Sequence, residues 1–249
     1  MQQIGRRVLG LSAIALAAVS FKFHNFNPLL HPVAGHFAWL DACAFVWDSV
    51  FVLAGLAAAL SDRIARTGAL VLAVAFLLRA LISGGPALVQ HPTVWGSYEN
   101  FAEAVAMGLG AVFAWLMLRE GATRADWAVV GRIGFGLCLI VFGISDSVYP
   151  QLTAPLVPKW LPPSQLFWAY FATAAHVAAG LAVLSGIKAR LAAVLVTIMY
   201  ASWQLIVHLP LVIQDPHSPG HWSEFVANLV LMGAAWCLAE YLTRTRKPA

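Results

Sequence analysis

Apolar residues in this chain do not alternate with polar ones. They run on continuously, and eight such runs stand out at roughly 4–23, 38–60, 65–83, 99–118, 127–148, 165–184, 189–208 and 223–242. Each is long enough to cross a hydrocarbon core of about 30 Å as a helix, and unbroken apolarity favours helices over barrel strands. The gaps are punctuated by Asn27-Pro28, Gly84-Gly85-Pro86, Pro162-Pro163 and the stretch Pro216-His217-Ser218-Pro219-Gly220, residues that end helices and start turns. The pattern predicts an all-α integral membrane protein with eight transmembrane helices.

The runs also repeat. At a fixed offset of 124, Ala65-Arg66 falls on Ala189-Arg190, and Leu81-Ile82 on Leu205-Ile206. Pro86, Gln90 and Pro92 fall on Pro210, Gln214 and Pro216, and Phe101 falls on Phe225. The expected organisation is therefore two fused four-helix bundles, residues 1–122 and 123–249. Four spans per unit is an even number, so both units insert with the same orientation. This is a parallel repeat, not the inverted repeat of many secondary transporters. The first run carries Arg6-Arg7 ahead of an apolar stretch ending in Ala18-Val19-Ser20, as a signal peptide would. Gly5-Arg6-Arg7 nevertheless matches Gly131-Arg132-Ile133, so the run is read as a retained helix.

Composition agrees. Hydrophobic residues make up 61% of the chain and charged residues 10%, where a soluble domain carries about 25% charged residues. The net charge of +4 is thus no nucleic-acid signal, and its placement matters more than its size. Arg6, Arg7, Arg63, Arg66, Arg119, Arg124, Arg132, Lys188, Arg190, Arg244, Arg246 and Lys247 all flank one side of the spans. Lys22, Arg79 and Lys159 belong to the other. By the positive-inside bias, the N and C termini are expected in the cytoplasm. The opposite loops, 24–37, 84–98, 149–164 and 209–222, are expected to be the long ones. Their aromatics, among them Trp39, Trp95, Tyr149, Trp160 and Trp222, read either as an interfacial belt or as a lid. Cys43, Cys138 and Cys237 lie inside apolar runs with no C-x-x-C spacing, which argues against disulfides and dithiol chemistry.

Ionisable groups inside spans are costly and are site candidates by default. Asp41 and Asp48 lie seven apart on one face of the second span. Arg79 sits near the outer end of the third, and Glu103 about one turn into the fourth. These four are expected to form either a structural ion-pair set or a polar intramembrane pocket of the first unit. Asp146 and Glu224 read as boundary residues. At the repeat offset Arg79 corresponds to Trp203 and Glu103 to Ala227, so one half is expected to keep a polar centre and the other an aromatic one. His176, near the middle of the sixth span, shares a stripe with Trp168, Ala172, Thr173 and Ala179. It reads as a structural hydrogen-bonding group, a quinone contact or a metal ligand. A second mid-depth histidine for a bis-histidine haem is missing from the other spans. His24, His31, His36, His91, His208, His217 and His221 gather on the outer side without a specific metal-ligand spacing, and Pro219-Gly220 argues against a helix joining His217 to His221. No phosphate-cradling glycine loop, G-x-S-x-G or H-E-x-x-H occurs.

The stretch from Gly131 to Pro210 resembles the DoxX family of bacterial membrane proteins. The resemblance is carried by Gly131-Arg132 and its FGL…FGI run, by Pro155-Leu156-Val157-Pro158…Trp160-Leu161-Pro162 and by Trp168-Ala169-Tyr170. Ala179-Gly180-Leu181-Ala182, Arg190-Leu191-Ala192-Ala193 and His208-Leu209-Pro210 continue it. The resemblance implies four-helix membrane units in the bacterial inner membrane and a link to quinone-dependent redox complexes. Asp146 stands where the family pattern leads one to expect a lysine. The functional expectation is a quinone-linked redox subunit with an outward-facing site. Its quinone would be held by His176, Trp168 and Thr173, with Asp48, Arg79, Glu103 and Asp41 as a polar pocket. Metal and haem are not expected. The expected partners are the lipid bilayer and a redox subunit, not nucleic acid. The alternative is a transporter, binding protein or scaffold for a small molecule or metal.

Overall fold

The computed structural model describes residues 3–23, 40–119 and 125–244. Eight long helices account for almost all of them: α1 (Ile4–Phe23), α2 (Leu40–Leu60), α3 (Ala65–Gln90), α4 (Trp95–Met117), α5 (Ala125–Val148), α6 (Gln165–Ser185), α7 (Ala189–Gln214) and α8 (Pro219–Arg244). All eight are long and apolar enough to cross a membrane, and no strand occurs among the described residues. The chain is a multi-pass, all-helical membrane protein.

Two of the expected outer loops are helix instead. α3 runs on to Gln90 and α7 to Gln214, while α4 begins at Trp95 and α8 at Pro219. What remains of loops 84–98 and 209–222 is a pair of four-residue turns. Each long helix keeps going by widening into a π turn, Ala80–Gly84 in α3 and Gln204–His208 in α7. Each π turn ends two residues before a proline, Pro86 or Pro210. A proline ring clashes with the carbonyl four residues back and donates no hydrogen bond, and a wider turn accommodates both defects. Pro219 does not break α8 either. Ser218 accepts a hydrogen bond at 3.3 Å from the backbone N–H of His221, so serine caps the helix and proline starts it. His221 therefore lies on α8 while His217 stays in the turn before it, so no helix joins the two. Ser164 caps α6 in the same way, accepting from the N–H of Phe167 at 3.1 Å.

The helices group as two five-membered rings that share an edge. α1, α2, α3, α4 and α8 form one ring, and α4, α5, α6, α7 and α8 the other. This differs from two self-contained four-helix bundles, because α1 packs on α8, and α5 on α4. Small residues set the close approaches. A Cβ at Gly10 or at Gly55 would stand 2.6 Å from the other's carbonyl oxygen where α1 meets α2. Gly136 and Gly180 face each other alike between α5 and α6, and a Cβ on Gly110 would collide with Ala234 at the shared edge. In lipid, such backbone contact replaces the hydrophobic drive that soluble helices use.

Both termini of the described chain lie at one face. There the N–H of Ile4 donates to Glu240 (3.0 Å), and Arg244 donates to the carbonyl of Met117 (2.7 Å). Arg6 and Arg132 turn inward at this face. Arg6 donates to the carbonyl of Ala58 (2.8 Å) and pairs with Asp62 (2.7 Å). Arg132 donates to the carbonyls of Val183 and Leu184. Each thus satisfies end carbonyls that α2 or α6 leaves without an intrahelical partner. At the opposite face Lys22 donates to the carbonyl of Pro216 (3.0 Å) and stands over the ring of Trp222 (4.1 Å).

The interior of the first ring has an aromatic core. Phe51 and Phe76, fully buried, meet at 4.7 Å between centroids, with Leu16 and Leu72 beside them in the core. The interior of the second ring holds a cavity.

Candidate functional site

The cavity measures about 170 Å³ and takes walls from all five helices of the second ring. α4 contributes Glu99 and Glu103, α5 Phe142 and Asp146, and α6 Trp168 and His176. α7 contributes Tyr200, Trp203 and His208, and α8 Glu224 and Asn228. Leu156 and Val157, which follow the short helical turn after α5, also line it. The lining groups cluster at the starts of α4, α6 and α8 and the ends of α5 and α7, away from the terminal face.

His176 is the hub. It is the twelfth residue of α6, about 16 Å along the helix, and is buried. Its Nδ1 lies 3.0 Å from Oδ2 of Asp146, and its Nε2 lies 3.2 Å from the Tyr200 hydroxyl. In the neutral ring the Asp146 oxygen accepts from Nδ1–H and Nε2 accepts from the Tyr200 O–H; in the protonated ring Nε2–H donates to the Tyr200 oxygen. Phe142 packs edge-on to the imidazole at 5.7 Å. The result is a hydrogen-bonded line from α5 through α6 to α7, with every member on the cavity wall. Such a line fixes the tautomer and orientation of the ring, and offers a route along which a proton moves.

Further bonds hold the walls. Ser145 Oγ donates to Glu99 (2.5 Å), fixing α4 to α5. Asn228 Nδ2 donates to the Tyr200 carbonyl (2.9 Å) and to Gln204 Oε1 (2.6 Å), fixing α8 to the π turn of α7. Trp168 Nε1 donates to the Pro162 carbonyl (2.9 Å), and its ring stands edge-to-face with Trp203 at 5.9 Å.

The charge of the site is one-sided. Glu99 lies within electrostatic reach of Asp146 and Glu224, and Glu103 within reach of Glu99 and Glu224. Among the described residues no lysine or arginine lines the cavity. Arg79, buried in α3, is in electrostatic contact with Glu103 of α4, the helix that both rings share.

The candidates named from sequence thus separate. His176 and Trp168 meet at the cavity, and Glu103 joins them there rather than serving the first unit alone. Thr173 does not line the cavity, since its turn of α6 faces Gly143 of α5. Asp48 is buried on α2 outside the cavity, and the side chain of Asp41 lies outside the described residues. The expected split between a polar half and an aromatic half does not hold, because carboxyls and tryptophans line one space. Asp146 and Glu224, read as boundary residues, are wall residues. Tyr200, Glu99 and Asn228 were missed as members of the site, although the i,i+4 pairs Glu99/Glu103 and Glu224/Asn228 mark the right helix faces. Among the described residues no group of three or more His, Cys, Asp or Glu side chains is placed to hold a metal ion. His24, His31 and His36 lie outside the described residues.

The DoxX family model matches residues 127–209. That segment runs from α5 into α7 and supplies Phe142, Asp146, Trp168, His176, Tyr200, Trp203 and His208 to the cavity. No curated protein and no solved structure matches the chain.

Proposed function

We propose, from the DoxX segment at 127–209 and the cavity it lines, that this chain is a quinone-linked subunit of a membrane redox system. The observation that carries the reading is the Asp146–His176–Tyr200 line beside Trp168. A quinone ring needs a flat aromatic neighbour, hydrogen-bond donors for its carbonyl oxygens and groups that take up or release protons. Trp168 supplies the first. The Tyr200 hydroxyl supplies the second when His176 is protonated, because Nε2–H then donates to Tyr200 Oη and frees its proton. The His176–Asp146 pair and the Glu99, Glu103 and Glu224 carboxyls supply the third. The quinone carries the electron chemistry. The chain's own residues bind and orient its head and move protons at Tyr200 Oη and His176 Nε2. A partner subunit would exchange the electrons. In this reading the chain is a duplicated DoxX-like unit, 1–122 and 123–249, in the bacterial inner membrane. Both termini lie in the cytoplasm and the cavity faces outward, as the Lys and Arg distribution supports. The duplication is supported by the π turns, which lie 124 positions apart. It is also supported by matched bonds six residues long, Tyr98 Oη to the Pro92 carbonyl and Trp222 Nε1 to the Pro216 carbonyl, both at 3.0 Å.

A second reading, a binder or carrier of a small cationic solute, is favoured by four carboxyl groups around a cavity that, among the described residues, no lysine or arginine lines. Mass spectrometry of what co-purifies in mild detergent separates the two. Quinone at one per chain, lost in His176→Leu, supports the redox reading. A co-purifying amine or other cation in place of quinone, lost in Glu103→Gln, overturns it in favour of the second.

A further inference from the structure

The cavity is small. Its volume of about 170 Å³ falls below the roughly 300–1,000 Å³ of pockets that enclose a drug-sized ligand. It takes a ring-sized head and nothing more. A second, larger space of about 620 Å³ lies on the other side of the α6–α7 pair. Its walls are apolar: Phe171, Ala175 and Ala178 from α6 face Leu195 and Ile198 from α7. Many of these side chains are open to the outside of the helix bundle, among them Phe171, Leu195 and Ile198. In a membrane that outside is lipid. The groove follows α6 from Trp168 to Ala182, about 21 Å at 1.5 Å per residue, and ends beside Lys188.

Two residues border both spaces. Trp168 and Trp203 line both of them and stand edge-to-face with each other. Trp168 is tied by its indole N–H to the Pro162 carbonyl. Trp203 directly precedes the π turn Gln204–His208, a wider and less regular turn of a kind that recurs at functional sites.

We infer that the α6–α7 groove holds the long apolar tail of the ligand whose head occupies the cavity, and that the head reaches the cavity sideways from the bilayer, past Trp203. This rests on the reading of the cavity as a quinone-class head site. It adds the tail, the side of access and the residue that gates it. The occupant is a bilayer-dissolved amphiphile with a compact polar head and one long chain. A water-soluble solute has no use for a lipid-side groove, and a ring-sized cavity has no room for a tail. Trp168, hydrogen-bonded, is the fixed jamb, and Trp203 is the leaf that turns.

The test uses the full chain in lipid nanodiscs and two probes: a benzoquinone with a long isoprenoid tail, and the same ring with methyl in place of the tail. Ala178→Trp and Ile198→Trp each fill the groove from its lipid side, where a large apolar residue leaves the helix packing intact. Val74→Trp, on the lipid face of α3 far from the groove, is the control. The expected result is that either groove variant weakens the long-tailed probe about tenfold and leaves the methyl probe unchanged, with the control unchanged for both. Trp203→Ala is expected to speed binding and release of both probes. Equal binding of the two probes, unaffected by the groove variants, overturns the tail assignment and leaves the cavity reading standing. Phospholipid that co-purifies in the groove and is displaced by neither probe overturns it as well. Failure of both probes to bind the unaltered chain removes the quinone-class reading and this inference with it.

Discussion

His176 is held at both ring nitrogens, by Asp146 and by Tyr200, and the three side chains come from three helices. In the first ring, Phe51 and Phe76 stand at the same places on their helices, 125 and 124 positions earlier, and pack ring against ring. One pair packs in the apolar core and the other lines the cavity. The two sites should respond oppositely to a hydroxyl group. Tyr200→Phe removes one hydrogen bond at a cavity wall, so stability should fall by no more than about 1 kcal/mol while affinity for a quinone probe drops several-fold. Phe76→Tyr buries a hydroxyl among Leu16, Leu72 and Phe51, and should cost about 1–3 kcal/mol with no direct effect at the cavity. Thermal unfolding in detergent, alongside probe titration, reads both. A Tyr200→Phe protein that binds the probe as the parent does would show that the hydroxyl only braces His176.

At the scale of helices, the site depends on two devices that keep long helices regular where prolines fall. The π turn of α7 carries Val207 and His208 onto the cavity wall, and Asn228 of α8 ties that turn in place through Gln204. The shared edge of the rings depends on Gly110 lying against Ala234. Gly110→Leu should separate α4 from α8, and with them both rings, giving loss of the monodisperse peak in detergent size-exclusion. Gly96→Ala is the matching control, since a Cβ there meets only Val94, at 4.0 Å. It should leave the peak and the melting temperature unchanged. Similar behaviour of the two variants would mean that the α4–α8 crossing is not what holds the rings together.

For the whole molecule, the interlocked rings carry the consequence. Every residue of the DoxX segment lies in the second half, yet Glu99 and Glu103 reach the cavity from α4. Residues 123–249 expressed alone should therefore lack a wall and an ion-pairing neighbourhood, and should be degraded or aggregate. Supplied as a separate chain, residues 1–122 should restore it, because α1 packs on α8 and α5 on α4. Co-purification of the two tagged halves, with stability of each expressed singly, is the measurement. A stable, probe-binding 123–249 fragment would show that the second half is self-sufficient.

The eight helices, the membrane and the DoxX resemblance were all legible in the chain, for one reason. A helix in lipid satisfies its own backbone, so continuous apolarity of sufficient length is a local and nearly complete specification. The same locality explains why Glu99/Glu103 and Glu224/Asn228 marked the right faces. The prolines misled about helix ends, because a π turn or a serine cap absorbs them through geometry that single residues do not announce. What tertiary packing alone decided was company. The chain alone left the partners of His176 open; packing brought Asp146, thirty positions away, and Tyr200, twenty-four positions away, to its two nitrogens. Glu103 keeps the expected electrostatic contact with Arg79, and because α4 is shared by two rings it lines the cavity as well. Which polar groups meet inside a bundle is set by how helices are turned and which neighbours they take. Those choices rest on contacts between small residues such as Gly110 and Ala234, far apart in the chain and silent in the hydrophobic pattern.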